Sequence, residues 1–553
     1  MTAFKKILID IPKDKGIHTK TAGPKKEKYI YKYTKYYRNK NGKPRNKAKN
    51  IGKLDPTTGK MHPNNNYYTL YPNNTTQTTT TPLSPQEITV QNYGYTYIVN
   101  KICQQTNLQT CLTQAFGQQQ AQTIIAIAAY MIQEETSTLD NIDDYQQKTF
   151  FPNQQTPLTS QTTSHLFTTQ TETQRNKFFT NWIKTTLNQG SICYDVTSIS
   201  SYAKEMTSVE RGYNRDNENL PQYNLGLFCD ETTKTPLYYN RYNGSLTDKT
   251  NLLPVLANAK TVGITHTKLI LDGGFWSKQC LVGLQKYCDA YTIGMPMHLK
   301  VAQKILADYG EGIEKYQNEL VGRHVYCVSV EETVVCGVFG RVFLYFDPLN
   351  RYQLCSELSC RVERLKAELA CLKRFPKGRL GRYLPYFVLT PHGNDGGFDF
   401  VVDAVKVEGL RASKGFFMIF TTDLGVSAGE VLDHYRGKDA VEKLFCQIKV
   451  ELGGSRVRTH SELATDGKSF VVFVACIIRN YLLNKLLGYL VETSCSLGKV
   501  LNQLSNIVLL FSQEGGYRFA KALSKKQKDI LSVFIEAKDL DKTLTDELST
   551  LKP

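Results

Sequence analysis

The order of strands and helices between residues 191 and 296 constrains the fold more than any other feature of this sequence. Three β-prone runs with short connections, SICYDVTSISSYA (191–203), QYNLGLFCD (222–230) and PLYYNRYN (236–243), predict an antiparallel meander. A helix from about residue 248, a buried strand in THTKLILDGG (265–274), a helix near 276–289 and a strand at YTIGMP follow. This order is that of an RNase H-like core, so the sequence predicts an α/β fold of that kind.

Composition and hydrophobic periodicity divide the rest of the chain. Residues 61–90 are rich in Thr, Asn and Pro, which predicts a polar linker. The helical domain that follows it either binds DNA or acts as a structural spacer. The predicted domains are a basic, strand-rich N-terminal segment (1–60), a polar linker (61–90), a helical domain (91–188), the first part of the core (189–314), a β-rich insertion (315–414), the second part of the core (415–490) and a C-terminal helical region (491–553).

The stretch HYRGKDAVEKLFCQIKVEL (434–452) predicts a helix that has two tasks. Its apolar residues recur at helical spacing and require a core: Val441, Leu444, Phe445, Ile448 and Leu452. Charged residues lie on or beside the same stripe, although a helix that only packs would turn them outward. Among these charged residues, Glu442 lies at the edge of the buried face, between Lys438 and Lys449.

Two more carboxylates occupy special places. Asp195 lies within an apolar, β-prone run, where an uncompensated charge is costly, and Asp272 ends a buried strand at a Gly-Gly turn. Taken singly, Asp195, Asp272 and Glu442 could be an edge residue, a turn residue and an ion-pair partner. In the predicted fold, however, their three places converge at one end of the sheet. Converging carboxylates repel one another, and bound Mg²⁺ is a natural compensation.

Positive charge is concentrated at the N-terminus. Residues 1–53 contain 17 Lys and Arg against 3 Asp and Glu, which accounts for +14 of the net charge of +17. Within them, YIYKYTKYYRNK (29–40) alternates aromatic and basic residues and predicts a strand, and RNKNGKPRNK (38–47) predicts a hairpin loop. Such a surface can neutralise phosphates, which favours contact with nucleic acid over the alternative of a solubilising tail.

The remaining features indicate a soluble, intracellular protein. The sequence has no run of eighteen apolar residues and no signal peptide at its start. Its fourteen cysteines form no CxxC pair and lie mostly in apolar contexts, which favours reduced thiols over a zinc site or a disulfide framework.

The motifs YDVTSISSY and LDGGFWS, together with the spacing of Tyr435, Lys438, Glu442 and Lys449, resemble the DDE transposases of bacterial insertion sequences. The branch concerned carries a Tyr-x2-Arg-x3-Glu-x6-Lys (YREK) signature. The spacing fits in full, and the one departure is Lys438, where that branch usually has Arg. The resemblance covers about residues 190–490.

The resemblance implies metal-dependent cleavage and transfer of DNA strands by a cut-and-paste mechanism. Asp195, Asp272 and Glu442 would be the catalytic residues and the ligands of two Mg²⁺ ions, for which Mn²⁺ can substitute. The substrates would be double-stranded DNA, as terminal inverted repeats and as target, held by a homodimer in the nucleoid-associated cytoplasm of a bacterium. The expected DNA-binding residues are Tyr435, Lys438, Lys449, Arg456 and Arg458, although a solvated basic loop is an alternative interpretation of the last two.

Two rival functions fit the same sequence. One is a structure-specific nuclease with an RNase H-like fold, which cleaves DNA without joining it to a target. The other is a domesticated DNA-binding protein without catalysis, a possibility that the Lys438 departure keeps open. All three carboxylates are intact, which favours an enzyme.

Overall fold

In the computed structural model of the protein, the strands predicted at residues 191–296 lie together in one large mixed β-sheet. The structure describes residues 8–22, 27–39, 43–71, 89–152, 154–187, 190–330, 333–393, 396–512, 516–536 and 540–549. They fall into two units, divided between residues 87 and 88. The mixed α/β class predicted from the sequence is confirmed by this sheet and the many helices around it.

The smaller unit is an antiparallel sheet in the order β1-β2-β3-β4. A small core of Ile30, Ile51, Met61 and Tyr67 supports it. The strand predicted at residues 29–40 is β2, and residues 40–42 of the predicted hairpin loop lie outside the described residues. The predicted linker begins with β4 and α1 of this unit, and its residues 72–88 are not described. The elements are β1 (Ile17–Ala22), β2 (Glu27–Arg38), β3 (Pro44–Leu54), β4 (Met61–Pro63) and α1 (Asn65–Leu70).

The larger unit begins with a short strand and six helices, where the sequence predicts a helical domain. Thr159 and Thr171 accept hydrogen bonds from the backbone at the starts of two of these helices, which satisfies N–H groups that have no partner within the helix. The elements are β5 (Thr89–Asn92), α2 (Gly94–Gln105), α3 (Leu108–Phe116), α4 (Gln118–Gln133), α5 (Ile142–Lys148), α6 (Ser160–Thr169) and α7 (Glu172–Thr186).

The next segment forms one half of the large sheet. Strands β6, β7 and β8 are antiparallel neighbours, and β9 and β10 continue the sheet in parallel on the other side of β6. The elements are β6 (Ser191–Ser201), β7 (Gln222–Asp230), β8 (Pro236–Asn243), α8 (Asp248–Thr261), β9 (Lys268–Leu271), α9 (Lys278–Leu284), β10 (Ala290–Met295) and α10 (Lys300–Tyr309).

The segment predicted as a single β-rich insertion divides into two parts. Its first strands extend the large sheet through β14, which pairs with β17, because their apolar faces pack on the same core. Its second part is mainly helical, and the apolar stripe of α11 packs on Tyr383 and Phe387 as a small separate core. The elements are β11 (Glu319–Leu320), β12 (Val325–Ser329), β13 (Thr333–Val335), β14 (Val338–Phe346), α11 (Pro348–Cys371), α12 (Leu380–Tyr383), β15 (Phe387–Pro391), β16 (Phe398–Val402) and α13 (Ala404–Ala412).

The chain then returns to the large sheet, whose order is β11-β12-β14-β17-β10-β9-β6-β7-β8, with β13 beside β14 and β18 beside β6. The C-terminal region contains helices and also two strands, β19 and β20, which pair with each other, and β19 also pairs with β5. The elements are β17 (Phe416–Thr421), α14 (Ala428–Gly437), α15 (Asp439–Cys446), β18 (Arg456–Val457), α16 (Glu462–Thr493), α17 (Leu497–Ser505), β19 (Val508–Ser512), β20 (Gly516–Phe519), α18 (Lys525–Ser532) and α19 (Leu540–Ser549).

Helix α16 joins the helical layer to the sheet. Phe470 packs edge-on against Phe178 of α7 at 5.0 Å between ring centroids, and Trp182 of α7 donates a hydrogen bond to the backbone of β8. Among the described residues, α16 is the one helix long and apolar enough to cross a membrane, and 72% of its most apolar window is buried inside the protein. That burial is typical of a core helix.

The cysteines are mostly buried thiols. All fourteen are free thiols, and eight of them are buried, including Cys193, Cys229 and Cys476. Burial raises the pKa of Cys193 to about 12, so that thiol stays protonated at neutral pH.

Helix α16 gives a direct test of packing. A Cβ at Gly467 would lie 2.1 Å from the backbone oxygen of Phe167 in α6, so Gly467→Ala forces the two helices apart. We expect this variant to lose about 1–3 kcal/mol of stability, as overpacked cores do. The control is Gly488→Ala on the same helix, where the added methyl group meets nothing within 4 Å. That change should stabilise the protein by about 0.5–1 kcal/mol, because alanine favours helix. Thermal unfolding measures both, and equal melting temperatures would contradict the described contact.

Candidate active site

The sheet register brings Asp195 and Asp272 side by side. Strands β6 and β9 are parallel, and Tyr194 of β6 pairs with Leu271 of β9. Asp195 and Asp272 are the next residues along these two strands. Two carboxylates therefore stand at the same level on adjacent strands, as the sequence analysis expects for converging groups.

Glycines make room for the turn that holds Asp272. Its side chain accepts a hydrogen bond from the backbone of Gly274 at 3.1 Å and so caps a single helical turn, Gly273–Phe275. Gly294 of β10 has a second role, because a Cβ there would lie 2.4 Å from the hydroxyl oxygen of Tyr435. Only a residue without a side chain lets that tyrosine approach the turn so closely.

The helix predicted at residues 434–452 is interrupted twice. Helix α14 begins at the cap Ser427, whose hydroxyl accepts a hydrogen bond from the backbone of Glu430. It ends at Gly437, and α15 begins at Asp439. A π-helical turn, Gln447–Glu451, completes the segment. The predicted apolar stripe is buried: Val441, Leu444, Phe445, Ile448 and Leu452 are each at most 7% exposed.

Lys438 occupies the junction between the two helices and links the carboxylates. Its ammonium group donates to Asp272 Oδ1 at 2.7 Å and lies 3.6 Å from Glu442 Oε1. It also lies 5.5 Å from the ring centroid of Tyr435, whose hydroxyl donates to the same oxygen of Asp272 at 3.3 Å. Arg436, two residues before Lys438, lies 3.6 Å from Asp347 instead. The structure thus brings Tyr435, Lys438 and Glu442 to Asp272.

The pKa values show that Lys438 compensates the charges of Asp272 and Asp195 to different extents. Burial raises the pKa of Asp195 to about 6, and the charge of Asp272 adds to that rise. Burial would also raise the pKa of Asp272, but the hydrogen bond and charge of Lys438 hold it below its usual value. Burial opposes the charge on Lys438, yet the bond to Asp272 raises its pKa above the usual range. Lys438 therefore stays charged and compensates Asp272 more fully than Asp195.

The donor chemistry fits a divalent cation. Carboxylate oxygens are the ligands that Mg²⁺ prefers, and the raised pKa of Asp195 shows negative charge that a cation would relieve. Within the part of the chain that the structure describes, no three His, Cys, Asp or Glu side chains form a ready-made metal cluster. Glu442 is still 56% exposed, and Lys438 lies between it and Asp272. Asp195 and Asp272 therefore lie on adjacent strands, whereas Glu442 is separated from Asp272 by Lys438.

The remaining predicted DNA-binding residues, Lys449, Arg456 and Arg458, make no described contact with Asp195, Asp272 or Glu442. Lys449 donates to Asp216 at 2.6 Å, and Arg456 donates to Glu218 and to the hydroxyl of Tyr202, both at 2.9 Å. Arg458 is exposed. Lys449 and Arg456 are therefore already paired with the loop between β6 and β7.

Comparisons with known proteins give one family match and one similar solved structure. A profile of the transposase DDE domain family matches residues 187–478, which is more than half of the chain. The chain belongs to the DDE transposase family. A solved structure of the piggyBac transposase synaptic complex with hairpin DNA aligns over 83% of this chain and 83% of that chain, with 10% identity and a TM-score of 0.34. No curated protein matches the sequence.

Sequence reasoning missed two features of this transposase. Gly294 leaves no signal of its own, because only the tertiary structure shows that Tyr435 approaches it. Asp216 and Glu218 lie in a polar loop whose charges look solvated, and their pairing with Lys449 and Arg456 joins residues more than 230 positions apart. The one signal in the sequence was that Lys449 and Arg456 need nearby negative charge, which these acidic residues could supply.

The buried charge of Asp195 predicts a pH-dependent stability. A carboxyl pKa raised from 3.8 to about 6 means that the folded state keeps a proton that the unfolded state has lost. Stability should therefore fall as the pH rises from about 4 to about 6, and stay low above that range. Asp195→Asn removes the penalty and should stabilise the metal-free protein by ~1–3 kcal/mol at pH 8, since each pKa unit corresponds to about 1.4 kcal/mol.

Thermal unfolding with EDTA measures this effect. The gain should shrink toward zero below pH 4 if the transposase stays folded there. A control in which Asp439, 58% exposed on α15, is changed to Asn should show no such gain. A loss of stability in Asp195→Asn at pH 8 would show that the ionised carboxylate is well compensated.

Proposed function

We propose that this transposase cuts and joins DNA by a cut-and-paste DDE mechanism on an RNase H-like core. The observation that carries the proposal is the placement of Asp195 and Asp272 at one level of adjacent parallel strands, with Glu442 tied to Asp272 through Lys438. The strand order β8-β7-β6-β9-β10, antiparallel and then parallel, supports the RNase H-like assignment. The spacing from Tyr435 to Lys449 supports placing the chain in the YREK branch of bacterial insertion-sequence transposases.

Each residue has a role in that reaction. Asp195, Asp272 and Glu442 would hold two Mg²⁺ ions, or Mn²⁺ in their place, which neutralise charge on the phosphodiester and favour attack by water or by a 3′-hydroxyl. Lys438 would place the scissile phosphate, because its charge is fixed beside Asp272. Tyr435 donates to the same oxygen of Asp272 as Lys438 and would help to orient that carboxylate.

The substrates of the proposed reaction are double-stranded DNA ends and a DNA target. The ends are the terminal inverted repeats of the element, and a homodimer would hold two of them together. Lys449, Arg456 and Arg458 would contact the backbone once DNA displaces the acidic loop from the first two, because phosphates can replace its carboxylates as partners. A bacterial cytoplasm, at the nucleoid, is the location consistent with that substrate.

The experiment that tests the proposal removes one carboxylate at a time. Asp195→Asn, Asp272→Asn and Glu442→Gln should each slow metal-dependent cleavage of the transposon end by about a thousandfold or more, since metal stabilisation contributes several kcal/mol. Binding of the DNA should change little. Asp439→Asn, a neighbouring exposed carboxylate, is the control and should cleave normally.

The products distinguish the rival functions. Cleaved ends joined to a target plasmid support a transposase. Cleavage without joining would instead support the structure-specific nuclease. DNA binding with no metal-dependent nicking in the unaltered protein would support a domesticated, non-catalytic DNA-binding protein. Wild-type cleavage by Glu442→Gln would remove Glu442 from the site.

Lys438 gives a second test, with a lysine on the next helix as its control. Lys438→Ala should slow single-turnover cleavage on the order of 100-fold with little loss of binding, because a misplaced phosphate costs rate more than affinity. Lys438→Arg should keep the activity, because arginine also binds phosphate. Lys443 is 74% exposed and pairs with Asp439, so Lys443→Ala should stay within about twofold. Equal effects at positions 438 and 443 would show that the signature spacing is coincidental.

A further inference from the structure

Half of the β2–β3 hairpin extends beyond the sheet of the smaller unit. Strand β1 pairs with β2 only up to Lys32, and β4 pairs with β3 only from Gly52 onward. Within the part of the chain that the structure describes, residues 34–39 and 43–49, here called the ribbon, therefore pair only with each other. A hydrogen bond from the backbone of Asn39 to Lys43 at 2.9 Å closes the described part of this hairpin.

The register gathers four basic residues of the ribbon on one face. Lys35 pairs directly with Lys47, and Tyr37 pairs with Arg45. Lys49 follows Lys47 at the two-residue spacing of a strand and so shares its face. This face, here called the lysine face, carries Lys35, Tyr37, Arg45, Lys47 and Lys49. The opposite face carries Tyr36, Asn46 and one basic residue, Arg38.

The charge on the lysine face is uncompensated. Directly opposed like charges destabilise a strand pair, yet Lys35 faces Lys47. Among the described residues, no carboxylate forms an ion pair with Lys35, Arg45, Lys47 or Lys49, whereas Lys32 at the base of the ribbon pairs with Asp14 at 2.8 Å. The sequence from residue 28 to 54 contains ten Lys and Arg and no Asp or Glu. A polyanion is the partner that such a face suits.

The shape of the ribbon matches one feature of duplex DNA. The major groove is about 12 Å wide and admits a two-stranded β-ribbon. Paired strands lie about 4.8 Å apart and rise about 3.3 Å per residue, so the ribbon is narrow enough to enter and about 20 Å long. That length corresponds to about six base pairs at 3.4 Å each.

We propose that the ribbon enters the major groove of duplex DNA with its lysine face toward the DNA. Lys35 and Lys47, opposite each other across the ribbon, contact phosphates on the two walls of the groove, and Arg45 reaches the base edges. This inference rests on the proposed function, because DNA is the substrate of that function, and it adds a second DNA contact in a different unit of the chain.

The test measures binding of the full-length protein to a mixed-sequence duplex by fluorescence anisotropy, with EDTA present so that no cleavage occurs. A second duplex of the same sequence carries glucosylated 5-hydroxymethylcytosine, which fills the major groove and leaves the phosphates unchanged. Lys35→Ala/Lys47→Ala should lower the slope of log affinity against log salt by about 1.8, since each lost phosphate contact lowers it by about 0.9. Unaltered protein should bind the glucosylated duplex about tenfold less tightly, and the double variant should bind both duplexes alike.

Two further variants control for charge and folding. Lys53→Ala/Lys60→Ala removes the same charge from lysines of the same unit that pair with Glu27 and Asp10, and it should keep both the slope and the preference for the open groove. Lys35→Arg/Lys47→Arg keeps the charge of the ribbon and should bind like the unaltered protein.

The outcomes separate this inference from the proposed function. An unchanged slope in Lys35→Ala/Lys47→Ala would remove the ribbon from DNA binding. A lower slope with an unchanged response to glucosylation would place the ribbon on the backbone outside the major groove, and so also overturn the inference. Either result leaves the cleavage assays untouched. Groove binding by a protein that never cleaves DNA would overturn the proposed function alone.

Discussion

Asp195 and Asp272 carry like charges, and the parallel register of β6 and β9 fixes them at the same level of the sheet. Their repulsion and burial have to be compensated, since an isolated buried carboxylate costs several kcal/mol. Lys438 provides part of that compensation through Asp272, while the pKa of Asp195 remains raised to about 6. The rest of the site is arranged around this remaining charge, which a divalent cation would balance.

The segment that supplies Lys438 and Glu442 combines packing with charge. Lys438 lies between the end of α14 and the start of α15 and donates to Asp272, while the next turns bury Val441 and Leu444. The buried stripe fixes the position of α15, and Glu442 beside it remains 56% exposed. A carboxylate at the edge of a rigid helix can change its partners without disturbing the core.

The basic residues of the two units differ in whether they form ion pairs. In the larger unit, Lys449 and Arg456 pair with Asp216 and Glu218 of the loop between β6 and β7, so any anion has to compete with carboxylates for them. In the smaller unit, the lysine face of the ribbon has no such carboxylates among the described residues. We therefore expect a polyanion to be attracted more strongly to the ribbon, because binding there breaks no ion pair among the described residues.

Much of the fold was predictable from local patterns. Alternating apolar residues located β6, β7 and β8 within one or two residues, and helical spacing located the buried face of α15. The spacing from Tyr435 to Glu442 also selected the side chains that meet at Asp272. These predictions succeeded because strand and helix periods are properties of neighbouring residues, which any sequence displays directly.

Tertiary structure alone decided the remaining features. The strands within residues 315–414 joined the large sheet because β14 pairs with β17, seventy or more residues later in the chain, and no local pattern encodes this pairing. The same is true of Gly294 beneath Tyr435 and of Asp216 beside Lys449. The sequence determined which residues carry charge and which elements they occupy. Long-range pairing decided which charges meet, because attraction and repulsion depend on distances that only the folded chain defines.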